Sequence, residues 1–250
     1  VRIIPVAFTQ FIPWEAEESG YEPHDWGSDE FDDLTSADEL AEFAGRNCYQ
    51  SWSRPNPKTA TNEGYLANIL DQGHYSVLEH ASVSFFVDGV SRSLLTELER
   101  HRFLSFSVVA VSFVKYDKTP SVAVPPLIER EKDTPLHGQD FSGMGWTIGD
   151  EFMRATENSF DAYVWIADRF QELGYPKKQA LEAARSVLPN ATEVKMVVTG
   201  NIRAWRDVIG KRYHEAADAE IREFATEVLN HLRELSPNSV QDISEVPYGK

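Results

Sequence analysis

Arg100, His101 and Arg102 set three cationic or potentially cationic side chains side by side. They follow an apolar helix pattern and precede a β-branched run over 108–114. Such a cluster packs poorly in a core and suits an anion, because the guanidinium is a planar fork for phosphate or carboxylate. Glu97 lies three residues before Arg100 and four before His101, spacings that let side chains meet on one helix face. Arg92 belongs to the same predicted helix. An exposed, salt-bridged helix end is the plain alternative, and the apolar strand pattern that follows weighs against it.

A second cluster runs Gly73-His74-Tyr75-Ser76-Val77-Leu78-Glu79-His80. Two histidines and a glutamate resemble part of a metal set, but no further cluster completes one, so no metal is expected. Histidines at a helix-to-strand corner are the expected reading, and the Ser76 hydroxyl could meet a phosphate. Arg185 precedes Val187-Leu188-Pro189-Asn190. Asn201-Ile202-Arg203 opens a helix on which Arg206 and Arg212 follow. Taken singly these arginines are surface residues; together they form a set without acidic partners in local sequence. There is neither a nucleophile elbow nor a Gly-rich phosphate loop.

The cations stand out because the chain as a whole is acidic. Its 250 residues carry 40 Asp and Glu against 24 Lys and Arg, a formal charge of -16. That excess disfavours nucleic-acid polymers and anionic membranes as partners, whereas a small phosphorylated ligand can still be gripped at short range. A hydrophobic content of 42% supports one sizeable core, so a single domain over 1–250 is expected. The lone cysteine, Cys48, rules out an internal disulfide framework and fits a reducing compartment. With no leader pattern and no apolar run of membrane-spanning length, the expectation is a cytoplasmic, soluble protein.

The elements that must position these residues follow from periodicity. Strands are predicted over 1–9, 81–87, 106–116 and 193–199, where apolar residues alternate or run. Helices are predicted from Ser36, with Glu39 completing a capping box and Leu40, Phe43 and Ala44 on one face. Further helices are expected over 62–72 with Gly73 as stop, 91–104, 151–173, 177–188, 201–211 and 215–235. An acidic arm over 10–35 and a surface excursion over 129–150 are expected to lie outside this framework. Cys48 is expected to be a small buried residue of the first helix. The mixture, with helices clustered late, indicates an α+β fold.

These pieces, in this order, resemble the flavin-dependent thymidylate synthases over roughly residues 39–235. The resemblance rests on Glu42-Phe43-Ala44-Gly45-Arg46, the 73–80 segment, Arg100-His101-Arg102, Ala184-Arg185-Ser186-Val187-Leu188-Pro189 and Gly200-Asn201-Ile202-Arg203-Ala204-Trp205-Arg206. It implies a mixed antiparallel sheet with packed helices and a homotetramer with FAD held between subunits. It implies reductive methylation of dUMP to dTMP, with 5,10-methylenetetrahydrofolate as carbon donor and NADPH as reductant. By the same resemblance, Ser76, Arg100, His101, Arg102, Asn201 and Arg203 contact FAD. Glu97, Leu98, Glu99, Arg100, Val108, Ala110, Ser112, Arg185 and Arg212 line the dUMP site. Arg212 matches the arginine that stabilises the ionised pyrimidine N3, which would make C5 more nucleophilic without any protein nucleophile.

One departure matters. The family pattern continues from Arg-His-Arg through seven residues to Ser-Gln-Arg, where this chain has Ala110-Val111-Ser112. Val108 stands where a polar residue is common, and Asp207 and Ala216 replace histidines of some relatives. A compensated frameshift (AGT CAG CGC TTC to GCA GTC AGC TTC) and ordinary divergence both account for the altered stretch. The alternative function is therefore an FAD- and nucleotide-binding homologue with weak or lost synthase activity. A structural or interaction protein without ligand is the third class, disfavoured by the number of motif residues in place.

Overall fold

A computed structural model describes residues 1–22, 36–54, 56–110, 121–136 and 145–249. Its centre is an antiparallel sheet of β1 (Arg2–Phe8), β2 (Ser82–Ser91), β3 (Ser105–Val108) and β4 (Glu193–Asn201), in the order β1-β2-β4-β3. The fold is α+β, as expected. Alternation decides which face is buried. Ile3, Val83, Phe85, Val87, Val194, Met196 and Val198 point inward, with Ser84 and Thr199 on the opposite face joined by a 2.7 Å hydroxyl contact.

Nine helices occur among the described residues: α1 (Pro13–Ala16), α2 (Ser36–Tyr49), α3 (Asn62–Asp71), α4 (Arg92–Leu98), α5 (Pro126–Glu131), α6 (Ile148–Glu172), α7 (Lys177–Ala184), α8 (Ile202–Arg212) and α9 (Ala219–Leu235). The inner sheet face is covered by α8 and α9, whose Trp205, Val208, Ile209, Phe224, Val228 and Leu232 are fully buried. Trp205 keeps its indole N–H satisfied by donating to the Val83 carbonyl at 3.2 Å. A satellite cluster joins α6 to α7 through Tyr163, Ala167, Leu181 and Ala184.

Several predicted boundaries move, each for a local reason. The 91–104 helix stops at Leu98, so Arg100-His101-Arg102 lies in a turn and not on the helix. Ser91 caps its start by accepting from the Leu94 amide. The 106–116 strand ends at Val108 within the described residues, and 111–116 lies outside them. The 151–173 helix begins at Ile148, because Thr147 and Asp150 form a reciprocal capping box. The last helix begins at Ala219, not at 215. The 10–35 arm contains α1, and its 23–35 part lies outside the described residues. The 129–150 excursion opens inside α5; a bridge pairs Pro135 with Thr147, and 137–144 lies outside the described residues. Cys48 is exposed, not buried.

Helix α2 departs most from its expected face. Leu40 and Phe43 turn toward an aromatic cluster of Phe11, Tyr21 and Trp52, and polar residues go inside. Arg46 is 2% exposed and donates to Glu42, Ser51 O and Thr59 O at 2.5, 3.2 and 2.5 Å. Asp38 accepts from the Ser236 and Ser239 hydroxyls and from the Asn238 and Ser239 amides at 2.5–3.0 Å. Asn62 donates to Glu42 at 2.8 Å and to Asp38 O at 3.0 Å. Every charge here is buried with its partners, the condition under which burial is tolerated.

Removing one member strands the rest. Asp38→Ala should lower unfolding free energy by about 3 kcal/mol or more, since four donors lose their acceptor out of reach of water. Asp38→Asn, which keeps one acceptor oxygen, should cost less. Urea unfolding of the two variants beside the parent checks the order; an Ala variant as stable as the parent would refute it.

Candidate functional site

The strand order brings three of the sequence clusters to one end of the sheet. Strand β4 is antiparallel to both neighbours, so its C-terminal end lies beside the N-terminal ends of β2 and β3. Ser82 pairs with Asn201, and Ser105 pairs with Thr199. The 73–80 segment leads into β2, the 100–104 turn leads into β3, and α8 leaves β4. The Ile202 amide donates to the Ala81 carbonyl at 2.9 Å, fastening the first of these to the last. Gly200 is required where they meet: a Cβ there would stand 2.5 Å from Leu104 Cδ2 and 3.2 Å from Trp205 Nε1.

At this end Ser76 and Arg203 line a cavity of about 360 Å³, together with Gly45, Cys48 and Tyr49 of α2 and His74 and Tyr75 of the turn. Arg203 is paired with Glu79. Asn201 caps α8, its Oδ1 accepting from the Ala204 amide at 2.8 Å, so that oxygen is committed to the helix. Arg100 and Arg102 are exposed, and their side chains form no hydrogen bond or ion pair among the described residues. Phe103 beside them is 80% exposed. His74 and His80 are exposed and do not pack in a core. Among the described residues no group of three or more His, Cys, Asp or Glu side chains is placed to hold a metal ion.

A second centre lies at the far end of α8, roughly 16 Å along an 11-residue helix. Arg212 donates from Nη1 to Glu97 Oε2 at 2.9 Å, from Nη2 to Glu97 O at 3.3 Å, and from Nε to His101 Nε2 at 3.2 Å. An arginine N–H can only donate, so His101 Nε2 must carry the lone pair and Nδ1 the proton. Nδ1 faces Asp207 Oδ2 at 3.3 Å, and Lys211 holds the same carboxylate at 2.8 Å. Burial holds the His101 pKa below its ordinary value, Arg212 adds to this, and Asp207 opposes it. His101 is thus neutral at pH 7. Burial and the adjacent Asp218 push the Glu97 carboxyl up, against the pull of Arg212 and Arg100. Burial also works against the Asp207 carboxylate, but Lys211 and His101 outweigh it and the net direction is down.

Glu97 also lines a cavity of about 430 Å³ between α4, Pro125–Leu127, Asn190–Ala191 and the start of α9. The loop after α7 reaches it because the Ser93 amide donates to Asn190 O at 3.2 Å and the Arg92 amide to Thr192 O at 3.1 Å.

The structure therefore brings together Glu97, His101 and Arg212, and separately Ser76 and Arg203. Other predicted residues stand apart. Arg185 is exposed on a 3-10 turn after α7, and its side chain makes no hydrogen bond or ion pair among the described residues. Leu98 is fully buried in the main core and lines neither cavity. Glu99 is exposed. Val108 is half-buried against the core and Ala110 is exposed beyond β3. Ser112 lies outside the described residues. His101 has both ring nitrogens engaged within the chain, so it acts on Arg212 more directly than on any ligand. Sequence reasoning treated Asp207 only as a departure from relatives. Its place between Arg203 and Lys211 at successive four-residue steps was the signal that it shares their helix face.

Comparison with known proteins gives the family. Residues 31–238 match the family described as thymidylate synthase complementing protein. The chain is 49% identical over 249 residues to a probable flavin-dependent thymidylate synthase of Mycobacterium phage L5, covering 97% of each. It is 55% identical over 216 residues to the probable flavin-dependent thymidylate synthase of Mycobacterium phage D29, covering 86% of this chain and 87% of that one. It is 48% identical over 198 residues to the flavin-dependent thymidylate synthase of Mycobacterium tuberculosis (strain ATCC 25618 / H37Rv), covering 79% and 76%. With a family match over residues 31–238 and relatives of about half identical sequence over most of its length, the chain belongs to the thymidylate synthase complementing protein family.

Proposed function

We propose that this chain is a flavin-dependent thymidylate synthase that reductively methylates dUMP to dTMP. In this reading 5,10-methylenetetrahydrofolate gives the carbon and NADPH the electrons, and the enzyme works as a homotetramer. The observation that carries it is Arg212, a guanidinium fixed on three sides by Glu97 and His101 beside the cavity that Glu97 lines. A cation held there stabilises negative charge developing on a pyrimidine N3 and so raises electron density at C5. Its orientation costs nothing at the moment of reaction, because the contacts are already made.

The residues present fit FAD. Arg100 and Arg102 offer two guanidinium forks without partners among the described residues, suited to a pyrophosphate. Ser76 and Arg203 add a hydroxyl and a third cation at the cavity beside α2. Bound there, FAD supplies the redox chemistry that the side chains lack. Arg100, Arg102 and Arg185 all face outward from one chain, which suits ligands held between subunits. Arg185 is assigned to the dUMP phosphate on the same ground. Among the described residues no helix is long and apolar enough to cross a membrane.

The reading is tested by tritium release from [5-3H]dUMP. Release is expected when FAD, NADPH and methylenetetrahydrofolate are all present; its absence at saturation of all three defeats the synthase assignment. Arg212→Ala should lower kcat by about two to three orders of magnitude while the flavin absorbance band persists. Arg212→Lys should restore little, since a single ammonium cannot reach Glu97 and His101 together.

Two further outcomes are expected. Protonating His101 at Nε2 would turn the acceptor of the Arg212 Nε–H into a donor and break that contact. Its pKa is held below the ordinary 6.5, so the folded state favours neutral His101. That contribution is present above pH 6.5 and lost as pH falls through the lowered value. The kcat/KM profile should therefore be flat near neutrality with an acid limb below pH 6.5, and Asp207→Asn should move the limb lower still. An unmoved limb would assign it to another group, Glu97 first. The triple variant Ala110→Ser, Val111→Gln, Ser112→Arg should tighten dUMP binding by about one to two decades, the worth of one charge-assisted phosphate contact. Calorimetric titration of dUMP into both proteins reads this directly, and equal affinities would remove the phosphate role of position 112.

A further inference from the structure

The cavity that holds Ser76 and Arg203 is built from segments far apart in sequence. One wall is α2, through Gly45, Cys48 and Tyr49. The opposite wall is the turn before β2, through His74, Tyr75 and Ser76. The chain segment 236–242 is fastened to both. On the α2 side, Asp38 accepts from Ser236, Asn238 and Ser239. On the turn side, the link runs through Arg206 of α8. Its Nη1 donates to Asp242 Oδ1 and its Nη2 to Asp242 Oδ2, each at 2.7 Å, and Nη1 also donates to Ser239 O at 2.7 Å. The guanidinium so fixed lies over the Tyr75 ring, 5.4 Å from its centroid.

This arrangement exceeds what holding down a tail requires. A two-pronged carboxylate sets the plane of a guanidinium as well as its position. That plane is the surface on which the Tyr75 ring rests, and cation–π contact depends on the cation standing over the ring face. Tyr75 is the residue before Ser76. A guanidinium free to rotate would leave the turn without its floor on the α8 side, while the α2 wall stayed where Asp38 keeps it. Asp242 itself is a surface group, with its side chain 41% exposed, so its pair with Arg206 adds little to overall stability. It also lies past residue 238, where the family match ends.

We propose that Asp242 is a positioning residue for the ligand cavity at Ser76 and Arg203, acting through Arg206 and Tyr75. The proposal rests on the reading that this cavity takes part of the FAD. Asp242 touches no ligand; it sets the distance between the Ser76 turn and the α2 wall before the ligand arrives, so less ordering remains to be done on binding. The Arg212 centre, at the other end of α8, lies outside this linkage.

The experiment is a titration of FAD into flavin-free protein, followed by quenching of flavin fluorescence, for the parent, Asp242→Ala, Asp242→Glu and Arg206→Lys. Asp242→Ala and Arg206→Lys should weaken FAD binding about tenfold, a loss typical of coupled neighbouring groups. Asp242→Glu, which keeps the fork, should recover most of it. Affinity for dUMP, measured on the same samples, should stay within about twofold, and the thermal midpoint should move little. Unchanged FAD affinity in Asp242→Ala overturns the proposal. So does an equal loss of FAD and dUMP affinity with a lowered midpoint and no recovery in Asp242→Glu, because that is the signature of a tail serving stability alone. A parent protein that leaves FAD fluorescence unquenched overturns the flavin reading and this proposal with it, whereas a parent that binds with an indifferent Asp242→Ala overturns this proposal only.

Discussion

The pairing of β4 with β2 on one side and β3 on the other determines where everything else can stand. Because both neighbours run antiparallel to it, the end of β4 must meet the beginnings of β2 and β3. A slip of one residue between β2 and β4 would turn Val83, Phe85 and Val87 outward, so the buried face holds that register in place. The same register sets Leu104 against Gly200, where no Cβ can be accommodated without displacing that leucine. Trp205 then ties the first turn of α8 back to β2 through the Val83 carbonyl. The loops carrying Ser76, the Arg100–Arg102 turn and Arg203 are thus anchored by a packed core, the arrangement in which a rigid scaffold positions loop residues.

On an acidic chain the arginines sort themselves by what they already hold. Arg46 is buried and fully engaged, with Tyr65 under its guanidinium at 4.3 Å. It belongs to one of the motifs behind the family resemblance, yet its role is to fix α2. Arg206 is engaged by Asp242, and Arg203 by Glu79. Arg212 is half-buried and engaged, but by a carboxyl whose pKa is raised and by a neutral imidazole. Its partners orient it from two directions, one through a carboxylate and one through a ring nitrogen. The side chains of Arg100, Arg102 and Arg185 make no hydrogen bond or ion pair among the described residues, so freeing them breaks no native pair.

Strands and long helices were legible in the sequence because their signals are periodic. Val83, Phe85 and Val87 alternate, and α6 and α9 repeat with the helix turn, so each appears close to its predicted place. Ends were less legible, because they depend on groups brought from elsewhere. Leu98 closes α4 where the chain must turn into β3, a demand that 91–104 alone does not reveal. The buried face of α2 was misjudged because its inward residues are polar, and Asp38 finds its donors 198–201 positions later. The motif residues were visible one cluster at a time. That Arg212 meets His101 across 111 positions, with Asp207 on the other ring nitrogen, needed the helix to be laid on the sheet.

The altered stretch after β3 takes on a physical meaning from the same alternation. The Val109 amide donates to Lys195 O at 3.0 Å, so the ladder continues one residue past the strand. Period two then sets Ala110 on the side of Phe106 and Val108, where Val108 already packs against the core. The family pattern puts a polar residue and a serine at these two positions, and an arginine at the next one along, residue 112. Here the described part of that face is apolar. A valine at 108 extends the core outward, and an alanine at 110 exposes a methyl group with no side-chain hydrogen-bonding atom. In the proposed synthase reading, polar recognition of the nucleotide would fall on Arg212, Arg185 and the Arg100–Arg102 turn, because the described part of this face gives it no hydrogen bond. Of these Arg212 alone is oriented by its own chain, and the outward-facing guanidiniums need a ligand or a neighbouring subunit to order them, at the cost of their side-chain entropy.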